Sequence, residues 1–246
     1  MTRLYHVSDV HFGCEDPGAI AWFDAMVAEH QPDAIIMTGD LTMRARASEW
    51  AAGSAWLEGL RRPTTLEVGN HDLPYFNMWA RMVTPYKRFR KVEQMIERPL
   101  NIAGVAVVPL KTTARFQFRT NWSKGRVSDG SLRKSVALAE AVPPGTVTLI
   151  AAHHPLVEPG TRATSRTRNG PHALAKLAAA GADAVLTGHV HDPFDMMHQV
   201  GGRTVRLIGA GTLSRRTRSS RASFNELVIE DGQIHVVAHV MDGPIA

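Results

Sequence analysis

Histidine, aspartate and asparagine recur in five short segments of the sequence, each of which follows an apolar run. The segments are residues 8–11 (SDVH), 38–40 (TGD), 69–72 (GNHD), 152–155 (AHHP) and 188–191 (GHVH). Their side chains offer carboxylate and amide oxygens and imidazole nitrogens, which are ligands for divalent cations such as manganese, iron and zinc. The pattern therefore indicates a metal site assembled from distant parts of the chain.

The apolar runs that precede these segments predict β-strands. Three of them, within residues 2–9, 33–40 and 64–72, are separated by residues 17–30 and 47–60, which carry apolar side chains at helical spacing. A β-α-β-α-β alternation predicts parallel strands joined by right-handed crossovers. Since ligands bind beyond the carboxyl ends of such strands, we expect the donor side chains to converge there.

The rest of the chain continues this pattern and then changes. Further strands are predicted within residues 104–112, 147–155 and 183–191, with a helix at 171–180, a loosely amphipathic helical region at 74–98 and a long loop at 112–129. After His191, alternating runs joined by Gly201-Gly202 and by Asp231-Gly232 are typical of antiparallel hairpins. We expect an α/β fold, a four-layer sandwich of two mixed β-sheets flanked by helices, in a single domain spanning residues 1–246.

Three glycines directly precede donor residues in these segments. Gly39, Gly69 and Gly188 are expected to let the backbone turn sharply or approach the site closely.

Composition limits the kind of protein further. Cys14 is the single cysteine, which excludes an internal disulfide and a thiolate metal cluster. No run approaches the roughly 20 apolar residues that cross a bilayer, and the first residues lack the apolar core of a secretory signal. These features predict no transmembrane segment and a cytoplasmic location.

The five segments, in this order, resemble the pattern of the calcineurin-like metallophosphoesterases, which is D-x-H, G-D, G-N-H-D/E, H and G-H-x-H. They extend from Asp9 to His191 and so cover most of the chain. Within that superfamily the layout is most similar to the class III cyclic nucleotide phosphodiesterase-like group. Met43 stands where purple acid phosphatases carry an iron-binding tyrosine, so that variant of the site is not expected.

The resemblance implies a role for each donor. One divalent metal ion is expected on Asp9, His11 and His191, a second on Asn70, His153 and His189, and Asp40 is expected to bridge them. His154 remains an alternative to its neighbour His153. The resemblance further implies that His71 approaches the scissile phosphate and that Asp72 orients His71 or a metal ligand, with capping of the following helix as the alternative for Asp72.

The implied activity is hydrolysis of a phosphoester by a metal-activated water, without a protein nucleophile. A phosphodiesterase for a small diester is the first expectation. The alternatives are a phosphomonoesterase, a nuclease, a nucleotide-sugar or lipid pyrophosphatase, and a non-catalytic metal-binding module. The lipid pyrophosphatases typically replace His71 by arginine, which argues against them.

Arginines crowd into residues 160–170 and 213–221 of a chain with a formal charge of +5. They form either solvated loops or part of a phosphate-binding rim. The candidates for such a rim are Arg44, Arg46, Arg119 and the arginines from Arg215 to Arg221, which are Arg215, Arg216, Arg218 and Arg221. Because no aromatic residues are interleaved with them, no stable nucleic-acid partner is expected. Phe116 and Trp122 could stack on a base, contact a partner subunit or cover the core, and the sequence leaves a homodimer open.

Overall fold

The β-α-β-α-β alternation predicted at the start of the chain forms three of the five strands of the first sheet. In the computed structural model, which describes residues 1–96, 100, 102–118 and 121–242, the elements are β1 (Thr2–Val7), α1 (Pro17–His30), β2 (Ala34–Met37), α2 (Ala47–Gly59) and β3 (Thr64–Leu66). Strand β2 pairs in parallel with both β1 and β3. The predicted parallel arrangement is therefore confirmed, and the three strands end at the same edge.

Local sequence explains where the first two helices begin and end. The carboxylate of Asp16 accepts hydrogen bonds from the backbone N–H groups of Gly18 and Ala19, and Pro17 fills the first turn. Helix α1 ends where Gln31 adopts a left-handed conformation. At the start of α2, Glu49 accepts from the backbone N–H of Arg46.

The loosely amphipathic region at 74–98 contains two short helices, α3 (Met78–Val83) and α4 (Lys87–Ile96), rather than one. The side chain of Asn77 caps α3 by accepting from the backbone N–H of Ala80, and Pro85 separates the two helices. Arg98, at the end of the predicted region, lies outside the described residues.

The second sheet contains the parallel strands β4 (Val105–Leu110), β5 (Val147–Ala152) and β6 (Ala184–Thr187). Two helices belong to it, α5 (Asp129–Glu140) and α6 (Gly170–Ala179), of which only α6 was expected. A signal for α5 was present: Ser128 caps it, and Leu132, Ser135 and Ala139 bury one face at helical spacing. Between Leu110 and Asp129 the described residues form no helix or strand, as the predicted loop requires.

Both predicted hairpins form, and each joins a different sheet. Strands β7 (Phe194–Val200) and β8 (Arg203–Gly209) extend the second sheet, because β8 pairs in parallel with β6. Strands β9 (Ser223–Glu230) and β10 (Gln233–Val240) extend the first, because β9 pairs antiparallel with β1. The strand orders are β10-β9-β1-β2-β3 and β4-β5-β6-β8-β7.

Three apolar clusters define the layers. One lies between the sheets and includes Leu4, Ile36 and Leu149, while the others lie beneath the helices on the outer face of each sheet. The predicted four-layer sandwich of two mixed sheets flanked by helices is thus confirmed. Among the described residues, no helix has the length and apolar character needed to cross a membrane.

Candidate active site

The donor segments lie together beyond the carboxyl ends of five strands. Strand β1 leads to Asp9 and His11, β2 to Asp40, β3 to Asn70, β5 to His153, and β6 to His189 and His191. A cavity of about 480 Å³ opens over them. The parallel topology therefore brings together side chains that are up to 182 positions apart in the sequence, from Asp9 to His191.

Five of these donors have a left-handed backbone, with φ of 56° at Asp9, 53° at His11, 52° at Asp40, 70° at His189 and 62° at His191. Residues other than glycine seldom adopt this conformation, and it costs about 1–3 kcal/mol where it occurs. The surrounding fold must therefore stabilise the strained backbone at these five donors, of which Asp40, His189 and His191 line the cavity.

Asp9, His11 and His191 form one compact group of acceptors. Nε2 of His191 lies 3.1 Å from Oδ1 of Asp9 and 3.2 Å from Nε2 of His11. The Nδ1 atoms of the two rings face the backbone carbonyls of Thr42 and Arg216, an arrangement that leaves a lone pair on each Nε2. Oδ1 of Asp9 is buried without a hydrogen-bond partner. Lone pairs that face one another in this way suit a cation between them.

A second group surrounds the side-chain amide of Asn70. One terminal atom of that amide lies 3.2 Å from Nε2 of His153 and 3.1 Å from Nδ1 of His189. An amide nitrogen at this place would donate to both rings, whereas an amide oxygen completes a group of three acceptors. With the oxygen in place, this group also suits a cation.

The carboxylate of Asp40 lies between the two groups. Its Oδ2 is 3.3 Å from Nε2 of His153 and 3.8 Å from Nε2 of His11. Its Oδ1 accepts a hydrogen bond of 2.7 Å from the backbone N–H of His71. A carboxylate in this position could contact a cation in either group.

The geometry distinguishes His153 from His154. Both rings are buried, but His154 uses both nitrogens in hydrogen bonds, with the hydroxyl of Thr112 and the carbonyl of Ser123, each 2.8 Å long. Nδ1 of His153 donates to the carbonyl of Thr38, and its Nε2 faces Asp40 and Asn70. His153 is thus the better placed of the two for a ligand.

Burial and the neighbouring charges shift the pKa values of the donors in opposite directions. Burial alone would raise the pKa of Asp9, but His191 and His11 hold that pKa well below its usual range. Burial would lower the pKa of His153, yet the Asp40 carboxylate raises it to about 9. Burial lowers the pKa of His11 to about 4, so this ring is neutral at pH 7, as a metal ligand must be.

A model of the family described as calcineurin-like phosphoesterase matches residues 2–193, which include every donor named above. The chain belongs to this family. Membership assigns it to the phosphoric ester hydrolases. Among the described residues, the donor atoms of Asp9, His11 and His191 lie within 4.8 Å of one another, as do those of Asp9, Asp40 and His153, and both groups fit metal binding. No curated protein matched the chain.

Several solved structures share the fold of this phosphoesterase. A dimetal phosphatase from Danio rerio has a TM-score of 0.69 at 11% identity, over 97% of this chain and 96% of that one. A purple acid phosphatase from seeds of yellow lupin, Lupinus luteus, has a TM-score of 0.61 at 12% identity, over 97% of this chain and 51% of that one. GAP50, an anchor in the inner membrane complex of Plasmodium, has a TM-score of 0.53 at 12% identity, over 98% of this chain and 88% of that one. At such identities the likeness concerns the fold alone.

His71 of the phosphoesterase lines the cavity beside the two donor groups. Its Nδ1 lies 2.7 Å from the carbonyl of Met43, to which it donates, so Nε2 is directed away from that carbonyl. Nη1 of Arg216 is 3.1 Å from this Nε2 and 3.3 Å from Nε2 of His11. An arginine and a histidine thus lie where an anionic substrate would meet the donors.

Asp72 does not contact the cavity and caps no helix. Its carboxylate is buried and accepts from the backbone N–H groups of Leu41, Thr42 and Gly69 and from the Thr42 hydroxyl. Burial, reinforced by the Asp40 carboxylate, raises the pKa of Asp72 to about 7. Asp72 therefore connects the loop after β2 to the loop after β3. The following helix, α3, is capped by Asn77 and not by Asp72.

The other substrate-binding candidates differ in position. Arg216 lines the cavity, whereas the exposed Arg44 and Arg215 do not. The guanidinium groups of Arg44 and Arg46 lie over the ring of Phe76 instead, 5.9 and 5.6 Å from its centroid. Arg119 lies outside the described residues.

Arg218, one of the arginines considered from the sequence, also lines the cavity. Sequence reasoning did not single out several other residues that line it, namely Asn121, Ser123, Lys124, Arg162, Ala163, Thr164 and Thr217. The signal available for them was the long loop and the two arginine-rich segments, in which they all lie. Nothing in one sequence shows which side of a loop will face a site.

Proposed function

We propose that the protein is a phosphodiesterase that uses two divalent metal ions. The observation that carries the proposal is the convergence of buried lone pairs, on Asp9, His11 and His191, around a point that a cation would satisfy. Family membership supports the hydrolysis of a phosphoester. The preference for a diester is our extension.

In this proposal Asp9, His11 and His191 hold one ion, Asn70, His153 and His189 hold the other, and Asp40 contacts both. Carboxylate, amide and imidazole donors without a thiolate suit manganese, iron or zinc. The metal ions would supply Lewis acidity to the attacking water and to the phosphate oxygens. Carbonyls that accept from Nδ1 of His11, His153 and His191 hold each ring in its orientation.

The chain's own residues position the substrate and handle the proton. The cavity carries four cationic side chains, Lys124, Arg162, Arg216 and Arg218, which suit a phosphoester anion. His71 exposes Nε2 to the cavity and, when protonated there, can donate to the departing oxygen. Arg216 is close enough to His71 to share the same phosphate group.

The room around the donors supports a diester. The cavity over them adjoins a second cavity of about 540 Å³, and the two share Asn70, His71, Asn121 and Ser123 in their walls. A phosphorus atom at the donors can therefore carry an organic substituent on either side.

The test compares hydrolysis of bis(p-nitrophenyl) phosphate with that of p-nitrophenyl phosphate after chelation and after return of manganese, iron or zinc, with metal content measured on the same samples. Faster, metal-restored cleavage of the diester is expected. Preference for the monoester would replace the proposal by a phosphomonoesterase. Bound metal without cleavage of either ester would favour a non-catalytic module.

A His153→Ala variant sharpens this experiment, because its ring belongs to the proposed metal site. It is expected to lose metal and activity together. The matched control is His172→Ala, an exposed histidine in α6, which should keep both.

A further inference from the structure

The second cavity differs in chemistry from the one over the donors. Beyond the residues it shares with that cavity, its walls are Tyr75, Met78, Arg81 and Trp122. Two aromatic rings, a thioether and a guanidinium therefore line a space that begins at His71. Tyr75 and Met78 are 59% and 50% exposed, so their side chains are accessible to a ligand in this space.

Buried contacts hold the indole of Trp122 in place. Arg81 is only 6% exposed, and it donates to the backbone carbonyls of Arg115 and Pro74. With its guanidinium fixed in this way, Arg81 lies over the ring of Trp122 at 5.3 Å from the centroid. The ring of Phe116 meets the indole at 77°, with 5.3 Å between the centroids. Trp122 is thus positioned before any ligand arrives.

We infer that this second cavity binds a planar aromatic group carried by the phosphoester, an inference that rests on the proposed function. Aromatic rings and guanidinium groups stack on flat π systems, and a methionine sulfur contacts ring edges. An alkyl chain would gain area at Tyr75 and Met78 but could not stack on the rings of Tyr75 and Trp122. The wall therefore favours an aromatic ring over an acyl chain.

The experiment measures binding by calorimetry to the metal-loaded protein, with adenosine 5′-monophosphate and ribose 5-phosphate as probes. Both carry a phosphate monoester on the same sugar, and only the first carries an aromatic ring. We expect the first to bind at least about tenfold more tightly, since stacking on one side chain supplies an effect of that size.

Variants locate the effect. Trp122→Ala should reduce the ratio of the two affinities to near one and leave the affinity for ribose 5-phosphate unchanged, whereas Trp122→Phe should keep most of the ratio. Tyr75→Ala, at an exposed position where folding is not at risk, should reduce it in part. The matched control is Trp79→Ala, which removes a 71% exposed indole that does not line the cavity.

Failure of the inference and failure of the proposed function give different results. Equal affinities for the two probes in the unmodified protein would overturn the inference alone. A greater advantage for octyl phosphate than for adenosine 5′-monophosphate would overturn it in favour of an aliphatic subsite. Absence of binding by all three phosphates would overturn the proposed phosphate site and the inference together.

Discussion

Residues with a left-handed backbone at the strand ends explain how short loops bring the donor side chains of the candidate site together. A strand that simply continued past Asp9 or Asp40 would alternate its side chains between the two faces of the sheet. A positive φ breaks that alternation at once, and the backbone N–H groups of Asp9 and His11 then donate to the carbonyls of Gly39 and Asp40. The loops after β1 and β2 are thereby joined, and the carboxylates of Asp9 and Asp40 lie beside the donor histidines.

Asp40→Asn is expected to empty both proposed metal positions and to remove nearly all hydrolysis. The amide keeps the shape of the side chain but loses the charge that offsets two cations. Metal analysis together with bis(p-nitrophenyl) phosphate turnover measures both effects. The control is Asp231→Asn, an exposed position in the β9–β10 turn whose φ of 49° asparagine tolerates, and it should change neither.

His71→Ala is expected to keep the metal content and to lower kcat by about 10²–10⁴, the range typical of a lost proton donor. Its Nδ1 donates to the carbonyl of Met43, and its Nε2 lies 3.1 Å from Nη1 of Arg216, where it can meet the substrate. Loss of metal from this variant would show that His71 is a ligand and that its assigned role is wrong.

Two adjacent arginines test which part of the rim meets the phosphate. Arg216→Ala should raise KM for the diester by about tenfold or more, because a guanidinium that contacts phosphate contributes a charge-assisted hydrogen bond. Arg215→Ala should leave KM unchanged, because that side chain is exposed and does not line the cavity. Equal effects of the two changes would indicate general charge attraction instead of contact.

At the scale of the elements, close backbone approach sets the spacing of the loops that carry the donors. A Cβ atom on Gly69 would collide with the side chain of Asp40, and one on Gly188 would collide with Ser8 and Asp9. Gly39 has a φ of 98°. Gly39 therefore allows a turn, and Gly69 and Gly188 allow close contacts, as expected from the sequence.

Gly188→Ala should displace Asp9 and lower the stability of the protein by about 1–3 kcal/mol, the usual cost of overpacking. Metal content should fall with it. Gly130→Ala is the matched control: a Cβ there meets nothing within 4 Å, and alanine in α5 should raise stability by up to about 1 kcal/mol. Chemical unfolding of both variants gives the comparison, and an unchanged midpoint for Gly188→Ala would refute the collision.

Much of this architecture was visible in the sequence because local patterns and fold rules agreed. Pro17 and the apolar spacing that follows it placed α1 correctly, and the glycine turns placed both hairpins. Helix α5 was missed because its exposed face dominates the composition, and its buried residues are small or few. Which sheet each hairpin would join depends on contacts between distant strands, which periodicity does not encode.

For the candidate site, residue type and order were enough to name the donors, but not the contacts that distinguish them. The full hydrogen bonding of His154 comes from Thr112 and Ser123, which lie 42 and 31 positions away. The role of Asp72 depends in the same way on the approach of Leu41 and Thr42. Such partners are set by tertiary packing.

In the molecule as a whole, a buried polar network joins the two sheets beneath the donors. His6 lies between the hydroxyl of Thr38, at 3.0 Å, and the amide of Asn225, at 3.3 Å, and that amide also donates to the carbonyl of Gly209 in the second sheet. Because the sheets share this network and an apolar core, we propose that residues 1–246 form one domain. The cytoplasmic location and the homodimer remain predictions.

Stability is expected to fall as the pH is lowered below about 6.5. Burial lowers the pKa of His6 to about 3. Between that value and about 6.5, His6 is protonated in the unfolded chain but neutral in the folded chain. The free energy of unfolding therefore falls by up to about 1.4 kcal/mol for each pH unit. His6→Gln should reduce this slope in urea unfolding between pH 7 and 5 with chelator present, whereas His235→Gln, at an exposed position on β10, should not. An unchanged slope in His6→Gln would show that this ring does not titrate on unfolding.

The pairing of β1 with β9 has a consequence for how the protein is made in the cell. Every proposed donor precedes Asp192, but β1 acquires its second neighbour only when translation has passed Ser223–Glu230. The hydroxyl of Thr212, which donates to the carbonyl of Asp9, also arrives late. All the proposed donors are therefore synthesised before the strand and the hydroxyl group that fix the position of β1 and Asp9. Loading with metal is expected to be one of the last events in the maturation of the protein.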